Sequence, residues 1–379
     1  MNKHALVTGG AGFIGSHVVD LLLERGYEVT VLDNLLPQVH ADADRDAEGW
    51  PTYLDRRAKR IKGDILDAEV FESSLRGVTH LVHLAASVGV GQSMTNIVEY
   101  CRNNVMTAAV VLETLSQRPH TVERMVVASS MSIYGEGAYK LPSTGALVAP
   151  PLREHAALAA RQWELSLGGE QLIPVATAEE KPLQPASIYA INKRDHEEMF
   201  LAVGRALQIP TVALRLFNVY GSRQALSNPY TGVAAIFISR LLNDQRPLVF
   251  EDGEQQRDFV HVQDIANAFF TVLESDAAVW DAFNIGSGKP VTIAHMAVTL
   301  NKFLDKNIEA EFLGRYRVGD IRHCFPDISK AERTFGWRPQ RSFDEGMKEL
   351  IAWVSQTKAP PVDRSQTSMA ELETNKLLV

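Results

Sequence analysis

The sequence predicts a doubly wound parallel α/β sheet of Rossmann type, followed by a smaller α+β lobe. Three observations predict it. Short apolar runs alternate with helical periodicity over the first 220 residues, the pattern of a parallel sheet covered on both faces. A glycine-rich segment, TGGAGFIG, separates the first apolar run from the first helical stretch. Beyond Gly221 the pattern becomes mixed, as in VAAIFISRLLND, PLVFEDG and DIANAFFTVLES.

In chain order, KHALVTG reads as a strand, SHVVDLLLERG as a helix, and YEVTVLDN as a second strand ending at Asp33. Residues 36–61 are polar and predict a loop with one short helix. KGDILD marks another strand end at Asp64, and THLVHLAAS, NVMTAAVVLETL and RMVVASS continue the alternation. Residues 136–185 break it with Pro, Ala and Gly. A structureless loop of that length is uncommon in a compact domain, so this stretch reads as an insertion or a lid over the site. Helix and strand return at YAINKRDHEEMFLAVGRALQ and TVALRLFN. The expected domains are 1–220, binding the cofactor and carrying the 136–185 insertion, then 221–355, mainly a substrate lobe. Residues 356–379 are polar with two prolines and predict a flexible tail.

Lys and Arg number 38 against 46 Asp and Glu, a formal charge of -8. That argues against a nucleic-acid binder or a membrane-surface protein, which would show a basic face. An anionic substrate would then need a few local arginines. Cys101 and Cys324 stand far apart without metal-ligand spacing, so neither a disulfide framework nor a metal site is expected. His80 and His83 have the wrong offset for strand residues sharing a metal. The chain start lacks the apolar run of a signal peptide, and no stretch of 18 apolar residues occurs. The expected location is the cytoplasm.

Gly9, Gly12 and Gly15 lie where a strand meets a helix, so the backbone there can approach a pyrophosphate and the helix start can attract it. Phe13 and Ile14 belong to the same turn. Asp33, 18 positions after Gly15, stands where an acid accepts hydrogen bonds from both adenosine ribose hydroxyls. It would repel a 2′-phosphate, and no basic residue follows until Arg45. NAD is therefore expected, with Asn34, Asp64, Ile65 and the small segment Leu84, Ala85 and Ala86 around it. Tyr189 has Lys193 four residues later, on one helical face. An ammonium near the phenol would favour phenolate. With Ser130 at a strand end, the set suits oxidation of a secondary alcohol: Ser130 binds the oxygen, Tyr189 takes its proton, and Lys193 orients the ribose. Ser129 reads as a packing or capping residue.

TGGAGFIG, LDN, GDILD, HLAA, SSMSIYG, YAINK, RLFNVYG, RDFVHVQD and FNIGSG occur in this order over residues 3 to 354. In this the chain resembles the extended short-chain dehydrogenases/reductases, in the group of nucleotide-sugar epimerases and dehydratases. The resemblance implies NAD, a nucleoside-diphosphate sugar substrate and a homodimer. It places Asn104 on a helix behind the active site, among the cofactor-side residues. It also implies diphosphate contacts from Asn218, Arg257 and Arg322, although either arginine could equally sit in an ion pair with Asp258 or Asp320. Where the family's dehydratases carry an Asp-Glu pair, this chain has Met131 and Ser132. Neither serves as a proton donor or acceptor near neutral pH, which leaves a 4-epimerase that oxidises C4 to a ketone and reduces it again. YGSRQALSNPYTGVAAIF and YRVGDIRHCFPD resemble members acting on dTDP-L-rhamnose to give dTDP-6-deoxy-L-talose. UDP-glucose or UDP-glucuronate 4-epimerisation is the alternative, and a non-catalytic NAD sensor on the same fold is a second.

Overall fold

The computed structural model describes residues 3–40, 43–228, 232–356 and 362–379. Seven parallel strands form the central sheet, numbered here in chain order: β1 His4–Thr8, β2 Glu28–Asp33, β3 Lys59–Lys62, β4 His80–His83, β5 Arg124–Ser130, β6 Thr211–Leu216 and β7 Asp281–Ile285. Their spatial order is β7-β6-β5-β4-β1-β2-β3. The order reverses between β1 and β4, and ligands of such sheets bind at that crevice.

Alternation along each strand builds two cores. Ala5 and Val7 of β1 face one side with Val126 and Ala128 of β5, packed against helices Phe13–Glu24 and Val262–Glu274. Leu6, Met125 and Val127 face the other side, under helices Thr107–Gln117 and Ile188–Ala206. A strand buried on both faces needs the continuous apolar runs seen here.

The lobe has its own core, from helices Val233–Leu242, Ile293–Phe303 and Phe343–Val354 against Tyr220 and Phe259. The expected span 221–355 is interrupted, however. Helix Val262–Glu274 and β7 return to the central sheet, where Ile265, Phe269 and Phe283 join its core. Parallel pairing of β7 with β6 needs a crossover, and that helix supplies it.

Residues 36–61 contain no helix among those described. They form a folded loop whose Trp50, Leu54 and Ala58 are buried against the sheet core. Tyr53 Oη donates to Ala11 O at 2.9 Å, bracing the glycine-rich turn.

The insertion is not a lid. It folds into the antiparallel strands Ala138–Lys140, Leu147–Val148 and Ile173–Val175 and the hairpin Ser166–Leu167/Glu170–Gln171. None of its residues lines either of the two cavities described below. It docks on the lobe instead, through Leu158 and Trp163 packed with Tyr316 and through charge. Arg322 Nε donates to Glu164 Oε1 at 2.8 Å, Arg153 Nη1 to Glu251 Oε1 at 2.7 Å, and Arg322 N to Glu136 Oε1 at 2.7 Å.

The end of the chain also differs from the expected flexible tail. Helix Ser365–Thr374 packs on the lobe, and Leu378 is buried. Polar composition hid it because Met369, Leu372, Leu377 and Leu378 are spread too thinly to give a clear helical stripe.

Candidate active site

The first cavity runs along the C-terminal ends of β1, β2, β4 and β5. Gly9, Gly12, Phe13, Ile14, Gly15, Asp33, Asn34, Asp64, Ile65, Leu84, Ala85, Ala86, Ser130, Tyr189 and Lys193 all line it. The glycines are required there. Gly9 has φ 68°, and a Cβ on Gly15 would lie 2.2 Å from Gly9 O. Asp33 Oδ2 accepts from Ala11 N at 3.0 Å and Oδ1 from Leu35 N at 2.9 Å, which ties the end of β2 to the turn. His40, absent from the sequence reading, lies 3.5 Å from Asp33 and lines the same cavity, its buried Nδ1 without a partner among the described residues. Arg45 is turned away, donating to Gly49 O and His40 O. An adenosine ribose with free hydroxyls fits such a cradle, and a 2′-phosphate finds no arginine or lysine beside Asp33 in its lining.

Asn104 lies on a helix behind the first cavity but is not one of the residues that reach the cofactor. It is fully buried in a π-helical turn, Arg102–Met106, and lines neither cavity. Its Oδ1 accepts from Ser87 N at 2.8 Å and its Nδ2 donates to Ser87 O at 3.1 Å, so it fixes the loop after β4. His196 Nε2 pairs with Asn104 O at 2.6 Å, which links that turn to the Tyr189 helix. Such π-bulges are frequent at functional sites. The neighbouring Asn103 and Thr107 reach the cavity instead.

Ser187 caps the helix that carries Tyr189 and Lys193, accepting from Ala190 N at 3.1 Å. Ser130 closes β5, and its Oγ accepts from Ser132 N at 3.2 Å and from Ser132 Oγ at 2.9 Å. With its lone pairs so engaged, the Ser130 hydroxyl is set to donate. Burial raises the Tyr189 phenol above its ordinary value, and the hydrogen bond with Ser130 opposes that rise. Lys193 Nζ donates to Ala128 O at 2.8 Å, and burial lowers its pKa to about 8. Ser129 is a packing residue, donating to Glu197 Oε2 at 2.7 Å. Behind it Glu197 pairs with Arg215, whose Nη1 donates to Tyr134 Oη at 2.7 Å. No local motif announces this network, because its members come from four separate elements.

A second cavity adjoins the first along shared segments. Val88, Ser130, Tyr189 and Phe217 face one, while Gly89, Met131, Ser132, Ser187 and Asn218 face the other. Asn218 Oδ1 is buried there without a partner among the described residues. Arg257 lines this cavity, with Nη2 donating to Ile321 O at 2.6 Å and Asp320 Oδ1 at 3.2 Å. Arg317, missed in the sequence, lines it too and pairs with the same Asp320 at 2.5 Å. Arg322 is the correction. It lines neither cavity, is 1% exposed, and is committed to Glu164, Glu251 and Asp252. A motif reading cannot tell which arginine of YRVGDIRH turns outward, because the acids that claim Arg322 lie 70 and more positions earlier.

Comparison with known proteins agrees with this geometry. Residues 5–161 and 168–286 match the model of the NAD dependent epimerase/dehydratase family. The dTDP-L-rhamnose 4-epimerase of Burkholderia thailandensis is 35% identical over 357 residues, covering 93% of this chain and 95% of the relative. Among solved structures, the UDP-glucose 4-epimerase of Thermotoga maritima with UDP-glucose superposes with a TM-score of 0.76 at 29% identity, over 94% of this chain and 100% of that one. The Thermus thermophilus UDP-glucose 4-epimerase in complex with NAD gives 0.73 at 29% identity, over 93% and 98%. The chain belongs to the NAD dependent epimerase/dehydratase family. It is an NAD-dependent nucleotide-sugar 4-epimerase, which sets aside the reading as a non-catalytic sensor.

Proposed function

We propose that the chain interconverts dTDP-L-rhamnose and dTDP-6-deoxy-L-talose by inversion at C4. The lining of the second cavity carries this reading. Its lining includes Met94, Met131, Ser132 and Ala186, of which Met131 and Ser132 directly follow Ser130, and its cations are Arg257 and Arg317, both on the lobe. Two arginines suit a diphosphate, which they bind through planar forks. A sugar carboxylate at the Met94 and Met131 end would lose its hydration without an ionic partner. A 6-deoxy sugar presents a methyl group there instead. The 35% identity to the Burkholderia thailandensis enzyme supports the same choice.

NAD, when bound, accepts electrons from C4 and returns them, so none is consumed overall. The chain supplies the rest. Tyr189 Oη takes the C4 hydroxyl proton while Ser130 donates to the same oxygen, and Lys193 holds the ribose side. Asn218, Arg257 and Arg317 anchor the diphosphate, which leaves the ketone free to turn its other face toward the cofactor cavity, where Tyr189 gives the proton back to the C4 oxygen.

Proton NMR of dTDP-L-rhamnose with the purified protein tests the proposal. The C4 epimer should appear without net NADH. An unchanged spectrum, together with conversion of UDP-glucose or UDP-glucuronate, would overturn the substrate and leave the reaction class intact. The UDP-glucose reading is favoured by the likeness to the Thermotoga maritima structure.

The same reading includes a homodimer and a cytoplasmic enzyme. Val98, Met106 and Ile191 expose apolar surface on the helical residues 97–117 and on helix Ile188–Ala206, the faces we assign to a two-fold contact. Light scattering should give twice the chain mass, and a Val98→Glu, Met106→Glu variant should give the monomer.

A further inference from the structure

The substrate cavity is closed on one side by the end of the chain. Ser365, Ser368, Met369, Leu372 and Leu377 line it, across from Val90, Gly91 and Met94 of the sheet domain. The docking of this segment is specific. Arg240, buried in the lobe, donates Nη1 to Asp363 Oδ2 at 2.8 Å and to Ser365 Oγ at 2.7 Å. Val362 N donates to Ser227 Oγ at 3.0 Å. Beyond the helix, Tyr316 and Val379 exchange backbone hydrogen bonds of 2.9 and 3.0 Å, and Val318 N donates to Leu377 O at 2.9 Å. On the opposite side, a Cβ built on Gly91 would lie 3.4 Å from Leu372 Cδ2. The segment therefore bridges the lobe and the sheet domain over the cavity.

We propose that residues 362–379 form a wall of the nucleotide-sugar site, touching the bound substrate and setting its selectivity. This rests on the second cavity being that site. The wall brings two serine hydroxyls and three apolar side chains to the cavity and no cation. A neutral or deoxy sugar can lie against it, whereas a carboxylate would be desolvated without compensation. Residues that close a cavity bury ligand surface that would otherwise stay in water, which is how concave sites gain affinity.

The test compares the full chain with a Ser368→Trp variant, which pushes bulk into the cavity from the wall, and with a chain ending at residue 361. Bound NAD, melting temperature, and KM and kcat for dTDP-L-rhamnose are measured for each. The expected result for Ser368→Trp is a KM raised at least tenfold, with NAD retained and the melting temperature within a few degrees. The truncated chain should show at least a tenfold loss of affinity for dTDP-L-rhamnose. In the full chain, hydrogen exchange of amides 365–378 should slow on addition of dTDP-L-rhamnose. Turnover by the full chain with an unchanged KM in Ser368→Trp and no slowing of exchange would overturn the wall alone. Failure of the full chain to bind any dTDP- or UDP-sugar would overturn the site assignment and the wall with it.

Discussion

Tyr189 sits under opposing influences: burial holds its proton on, and the Ser130 hydrogen bond helps to take it off. Removing the phenol oxygen should leave the cofactor cradle whole, because none of the glycines or Asp33 depends on it. Tyr189→Phe should therefore keep NAD, seen by absorbance after denaturation, while turnover falls by about 10²–10⁴-fold. Lys193 offers a pH test. With its pKa lowered to about 8, its charge is present below that pH and lost above it. NAD affinity should weaken as pH rises through about 8, and Lys193→Met should flatten that step in a binding titration. These residues were legible because each is written locally: a serine at a strand end, and a tyrosine and lysine one helical turn apart. Arg317 and His40 were not. Their roles depend on which way a loop turns or on a partner contributed by the fold.

The glycine-rich turn shows how a whole element can hang on one missing carbon. Gly15 lies in the first turn of helix Phe13–Glu24, against Gly9 O, and a Cβ at 2.2 Å has no room while Tyr53 and Asp33 hold the turn from outside. Gly15→Ala should strip NAD from the purified protein and cost about 1–3 kcal/mol in stability, read from denaturant unfolding. Strand existence was legible for β1, β2, β4, β5 and β6, whose buried residues are largely apolar, but not for β3, which reads KRIK, nor for β7, which was expected in the lobe. Short elements escaped as well. The π-turn at Asn104 has ordinary helical composition, and the insertion's two- and three-residue strands carry no period long enough to read. The C-terminal helix escaped for a different reason. Its few apolar residues serve a cavity and a neighbouring backbone rather than a continuous core.

At the scale of the molecule, the insertion and the lobe are held by a buried cluster of charges beside a small apolar cluster of Leu158, Trp163 and Tyr316. Burial pushes the Glu164 carboxyl up, but hydrogen bonds from His323 and Arg322 more than offset this and bring it to about 2. A carboxyl lowered in this way stabilises the fold fully above its ordinary value near 4.5, and that contribution is lost as pH falls toward 2. Glu164→Gln should therefore destabilise the protein by up to about 3 kcal/mol at neutral pH, and the gap to the unmodified chain should close as unfolding is followed from pH 5 downward. Arg322 is tied at once to Glu164 of the insertion and to Glu251 and Asp252 of the lobe, while Glu136 holds its backbone. The two regions are thus a lock cut to a single key. A chimera that takes residues 136–185 from a relative but keeps this lobe inherits acids and an arginine without their counterparts. Grafting would succeed only when 251–252 and 320–323 travel with the insertion.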